Sequence, residues 1–198
     1  SAASDVYKRQ VHAGVYRESV VLAASGTADA PVRFEVADGE RAIVTGLDVA
    51  GGWSNSAGNR WTLKAAPITQ LFIGKGLGVE ARWPDSEPDW LRASFASMDG
   101  VTQGDDGVWT VTDGSLSATT DWSGATAWFL HEHRWVAYSA PVVAAGEGWV
   151  QIDASGAPHA PAEGSPYYLY GTTAALSAAG EWVQDDDGLI TLVSDTAP

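Results

Sequence analysis

The chain has no cysteine, a single methionine, and only 11 Lys and Arg against 25 Asp and Glu. The first absence removes disulfides, thiolate metal ligands and a cysteine nucleophile from consideration. The shortage of basic residues sets a formal charge of −14 and argues against a nucleic-acid partner, because a polyanion would be repelled and would gain nothing from counterion release. No apolar run approaches the ~20 residues of a membrane span, and no signal peptide stands at the N-terminus. What is abundant points the other way. With 22 Gly, 10 Trp and 45% hydrophobic residues among 198, the composition suits short strands and tight turns better than long helices. The expected class is all-β, with length for one substantial domain or two small ones.

The first ten residues read as foreign. Asp5-Val6-Tyr7-Lys8-Arg9-Gln10 matches the in-frame translation of a transposon-end adapter used in preparing sequencing libraries, so residues 1–10 are set aside. The alternative is a native, basic N-terminal strand. Under the adapter reading the chain is a metagenomic open reading frame cut at its start, and the missing signal peptide follows from that cut.

Leu71-Phe72-Ile73-Gly74-Lys75-Gly76-Leu77-Gly78-Val79-Glu80-Ala81-Arg82-Trp83-Pro84 carries the clearest local signal. Apolar runs flank a Gly74-Lys75-Gly76 turn, and Val79, Ala81 and Trp83 then alternate with Glu80 and Arg82, which is strand patterning leading out of a hairpin. Pro84, lacking an N–H, stops the ladder. Upstream, short runs (12–18, 20–22, 31–36 and 42–46) are separated by turn clusters. Val21 and Val44 lie 23 positions apart, a spacing that suits one rung of a solenoid whose coil contains three short strands. From Gly51 the spacing changes. Val108–Val111, Ala125–Leu130, Arg134–Tyr138 and Gly148–Ile152 read as strands between Gly, Asp and Ser turns, the pattern of a small antiparallel barrel or sandwich.

Several of these stretches resemble right-handed parallel β-helix proteins of the pectin-lyase-like type. They are the Ala81-Arg82-Trp83-Pro84 passage, the opening Gly14-Val15-Tyr16-Arg17-Glu18, Ser25-Gly26-Thr27, Pro31-Val32, Gly39-Glu40 and Val44-Thr45-Gly46, and the late Tyr167-Tyr168-Leu169 and Gly180-Glu181-Trp182. Ser177-Ala178-Ala179 departs from the Asp and Pro common there. The resemblance covers nearly all of residues 11–198. It implies one or two β-helix coils over 11–50, an inserted antiparallel domain over 51–165, and a return segment over 166–198 leading into rungs beyond Pro198. It also implies a secreted or cell-surface, monomeric parent that acts on polysaccharide as a glycoside hydrolase or polysaccharide lyase. In such enzymes the catalytic groups lie further along the solenoid, so none is carried over here and the fragment itself is expected to be inactive. Two other readings stay open, a non-catalytic glycan-binding or surface module and a free-standing β-sandwich.

The candidate chemistry is aromatic. Indoles stack on the apolar faces of sugars, so Trp83, Trp90, Trp122 and Trp135 are candidates to line a glycan groove. Arg82 would meet a uronate or pair with Glu80. Each Trp also has a core-packing reading, and Trp182 is read as structural. His131-Glu132-His133 would put two imidazoles on one strand face, but the sequence names no third ligand, and an exposed strand end is the competing reading. Asp185-Asp186-Asp187-Gly188 resembles a calcium loop in composition and lacks its spacing, so it reads as a solvated turn, as does Asp105-Asp106-Gly107. With 25 acidic residues no carboxylate pair is singled out for catalysis. No cofactor and no metal are expected.

Overall fold

The computed structural model describes residues 8–23, 25–86, 94–104, 107–131, 133–157 and 159–198. The chain divides into two compact units, Ser1–Ala50 and Gly51–Pro198. The expected all-β class holds: apart from short 3₁₀ pieces such as Thr173–Ala175 the described elements are strands, and among the described residues no helix is long and apolar enough to cross a membrane.

The first unit holds β1 (Lys8–Val11), β2 (Gly14–Arg17), β3 (Arg33–Val36) and β4 (Ala42–Thr45). They pair in parallel, β1 with β3 and β2 with β4. Val44 lies opposite Tyr16 rather than Val21, and residues 20–22 form no strand. The reason is local. The Ser25–Thr27 corner closes only at Thr27 and Ala30, which exchange backbone hydrogen bonds, so residues 20–22 serve to reach it. Glu40 ties one corner to the other by accepting from the Ala13 amide and from His12 Nδ1, contacts that hold its carboxyl below the usual range, the amide first. Lys8–Gln10, set aside in the sequence reading, lie within β1, and Lys8 Nζ stands 2.7 Å from Glu35. No described residue of 8–50 is buried, while Val15, Phe34, Ile43 and Val44 are exposed.

The second unit holds two sheets. One has eight strands: β10 (Arg82–Trp83), β11 (Ala96–Ser97), β12 (Gly100–Gln103), β13 (Val108–Thr112), β14 (Thr126–Leu130), β15 (Ala137–Gly146), β16 (Trp149–Asp153) and β17 (Pro166–Tyr170). Their order is β10-β17-β14-β15-β16-β13-β12, with β11 also against β17. The ten-residue β15 pairs β14 with its first half and β16 with its second, with a register shift between Val142 and Ala144. Strict alternation drives this layer. In β14 and β17 every second residue (Ala127, Phe129, Tyr167, Leu169) is buried, and with Val111, Val142, Val150 and Ile152 these form the main core. Burial of each large side chain stabilises by about 1.5–3 kcal/mol. The stretch expected as a return segment contributes β17 to this layer, between the short β10 and β14.

The other sheet has the order β5-β6-β19-β18-β9, from β5 (Ser54–Ala57), β6 (Arg60–Lys64), β9 (Val79–Glu80), β18 (Glu181–Gln184) and β19 (Leu189–Val193). It buries Leu71, Trp182, Ile190 and Leu192, which agrees with the structural reading of Trp182. The hairpin at Gly74 forms from β7 (Phe72–Ile73) and β8 (Gly76–Leu77), with Ile73 opposite Gly76 and Gly74 at φ 61°, the first central position of a II′ turn. The alternation that follows is not one strand. Val79 and Glu80 pair in parallel with β18, the Ala81 amide donates to the Trp182 carbonyl at 2.8 Å, and Arg82 and Trp83 leave to pair with β17. Ala81 has no exposed surface, and at that residue the chain changes sheets. The Trp83–Pro84 peptide is cis.

Candidate functional site

The alternation that buries one face of β14 and β17 turns Trp128, Tyr168 and Tyr170 to the other. Trp128 and Tyr168 face each other in register, and their rings stack at 5.0 Å and 20°. Phe95, just before β11, stacks on Trp128 at 5.5 Å and 19°, and Tyr170 adjoins Tyr168 at 5.6 Å. Such distances and tilts fit offset stacking. Arg82, the register partner of Tyr170, lays its guanidinium 4.6 Å from the Tyr168 centroid and 5.6 Å from that of Phe95, within cation–π range.

This face is half-buried by its own side chains, and its electrostatics follow. Loss of hydration lowers the Arg82 pKa and raises that of the Tyr168 phenol. Arg82 Nη2 donates to the Ser94 carbonyl at 2.9 Å, while its Nε is buried with no acceptor among the described residues. A cationic, aromatic strip of this kind can hold a flat apolar surface edged with hydrogen-bonding groups, which describes a sugar ring.

The expected site residues part company. Arg82 belongs to this face, and among the described residues no ion pair joins it to Glu80, because the sheet change at Ala81 sends the two into different layers. Trp83 turns inward, 5.9 Å from Trp122 and 6.1 Å from Tyr167. Trp122 is 3% exposed and belongs to the core, and Trp83 is partly buried and packs against it. Trp135 is 79% exposed, on the turn between β14 and β15, and makes no ring contact with the aromatic face. Trp90 lies outside the described residues. Phe95, Trp128, Tyr168 and Tyr170 were not singled out by the sequence. Both faces of β14 and β17 are aromatic or aliphatic, so alternation alone does not tell which is wet. That two neighbouring strands carry rings on both faces is the signal that marks them.

His131 and His133 follow β14 rather than lying on it, and His131 is met by His159, with ring centroids 4.5 Å apart against 5.3 Å to His133. Among the described residues no group of three His, Cys, Asp or Glu is arranged to hold a metal ion. Asp105 and Asp106 lie outside the described residues.

No protein-family model matches the sequence, and no curated protein matches it. In structure the chain is similar to a solved protein named glycoside hydrolase, with a TM-score of 0.63 and 18% identity. The likeness covers 94% of this chain and 35% of that protein, so the chain spans about a third of its length, and at this identity the likeness is one of fold.

Proposed function

We propose that the chain is part of a secreted or cell-surface, monomeric bacterial β-helix protein that acts on polysaccharide, and that the face formed by Arg82, Phe95, Trp128, Tyr168 and Tyr170 holds the glycan. That face is the observation that carries the reading. The fold shared with a glycoside hydrolase supports it, as do the parallel pairs of the first unit, since parallel strands ordinarily occur in layers covered on both sides and here Val15, Phe34, Ile43 and Val44 are exposed. A further coil of a longer chain is what would cover them. The residues named bind and orient a sugar. The acid–base groups of a hydrolase or lyase are not among them, so the same face equally serves a non-catalytic binding module.

Affinity electrophoresis through gels containing neutral or uronate-bearing polysaccharides tests the assignment. At least one polymer should retard the protein, and Trp128→Ala should weaken that retardation on the order of tenfold while the urea midpoint stays within the small range of a half-exposed substitution. Unretarded migration in every gel, or a Trp128→Ala protein retarded like the parent, would sink it. A polymer that is retained and also cleaved favours the enzyme over the module.

A further inference from the structure

Arg82 is a cation in the more acidic part of the chain. Residues 51–198 carry six Lys and Arg against eighteen Asp and Glu, yet among the described residues no carboxylate stands within ion-pair distance of Arg82. Its head group is nonetheless half out of water, and that loss of hydration lowers its pKa. What surrounds it instead is π surface, the Tyr168 ring at 4.6 Å and the Phe95 ring at 5.6 Å. A guanidinium partly stripped of water and left without a counter-charge costs free energy, which an arriving anion offsets.

The geometry leaves one of its nitrogens to a ligand. Nη2 is taken by the Ser94 carbonyl at 2.9 Å, and Nε is sealed from solvent, so neither is offered. Nη1 has no acceptor among the described residues and is not one of the sealed polar atoms. The Ser94 bond and the two rings fix where this donor stands, at the side of the Phe95–Trp128–Tyr168–Tyr170 strip. Glu80, the acid two residues away, adds to the rise of the Tyr168 pKa but makes no ion pair with Arg82.

We infer that this face selects a carboxylate-bearing sugar, a uronate, whose ring lies against the aromatic strip while its carboxylate accepts from Nη1 of Arg82. The inference rests on the reading of the face as a glycan site and adds the class of sugar. A neutral sugar would stack as well but leave the cation uncompensated. An amino sugar would set a second cation beside the first. A sulfate ester has the charge, but it stands off the ring on an added oxygen. The uronate carboxylate is bonded directly to a ring carbon, so one residue makes both the stacking contact and the charge-assisted hydrogen bond.

Calorimetric titration tests this, with tetramers of galacturonate, mannuronate and guluronate, the carboxyl-reduced counterpart of each, and a sulfated galactose tetramer. Carboxyl reduction turns the acid into a primary alcohol and leaves the ring as it was. At least one uronate tetramer should bind about tenfold tighter than its reduced counterpart. Arg82→Gln should bring that ratio close to one, and Arg82→Lys, which keeps the charge, should retain part of it. Near-ultraviolet circular dichroism reports whether each variant keeps the parent's packing, and the ratio measured on the parent protein needs no variant. Equal binding of a uronate and its reduced counterpart would overturn the uronate assignment and leave the face a glycan site. A preference that survives Arg82→Gln, or a sulfated tetramer bound as tightly as the best uronate, would do the same. Silence from every tetramer overturns it too, and the retardation gels then decide whether the glycan reading of the face falls with it.

Discussion

Tyr167 has no exposed surface, and its hydroxyl donates to Asp113 Oδ2 at 2.8 Å. Asp113, 4% exposed, turns its other oxygen to the backbone amide and hydroxyl of Ser115. Burial first, then the Asp113 bond, holds the phenol's proton far above its ordinary 10.0. The unfolded chain loses that proton near pH ~10 and the folded chain keeps it, so the native state binds more protons in alkali and stability falls as pH rises past that point. Tyr167→Phe should cost about 1–3 kcal/mol at neutral pH by leaving Asp113 Oδ2 without its donor, and should flatten the alkaline decline seen in urea midpoints. Some slope should persist, because burial also raises the Tyr168 pKa. An alkaline profile identical in both proteins would refute the account.

At the scale of elements, the clamp by Gln184 makes two loops one. Gln184→Ala removes its bonds to Ala65, Ala66, Gly188 and Ile68. Since Gln184 is only half-buried and water replaces part of the loss, the expected cost is about 1–3 kcal/mol, read as a lower urea midpoint at unchanged slope. The same scale shows what the sequence could convey. The strands over 108–112, 126–130 and 149–153 were legible because each is an apolar run set between Gly, Asp and Ser turns. The course of 79–83 was not, since a period of two is kept when a chain changes sheets at a residue as small as Ala81, and nothing local reports the change of partner. Residues 20–22 misled for the opposite reason: three consecutive apolar side chains read as a strand although no neighbour is there to pair with them. For the site, Arg82 was legible as a cation beside aromatics. Trp83 and Trp122 could not be told from surface indoles, because a tryptophan's burial depends on which layer its strand joins.

For the molecule as a whole, the two units differ in what holds them. Residues 8–50 contain no buried side chain among those described, so their strands rest on backbone pairing and surface contacts such as Glu40 with Ala13 and His12. Residues 51–198 carry both buried clusters. Amide exchange should therefore separate them. The amides of Val15 and Ile43 should exchange through low-energy local openings, and those of Phe129, Leu169 and Ile190 only near the global unfolding free energy. Comparable protection in both units of this chain would contradict that division.

The ten residues of β15 belong to two neighbourhoods at once, bonded to β14 on one half and to β16 on the other across the shift at Val142. A chain that unzips β14 must peel the same backbone that anchors β16. Strands from β12 to β10 thus share one fate, and the layer bearing the aromatic face is expected to have no partly open state in which that face is lost while the far strands β13 and β16 survive.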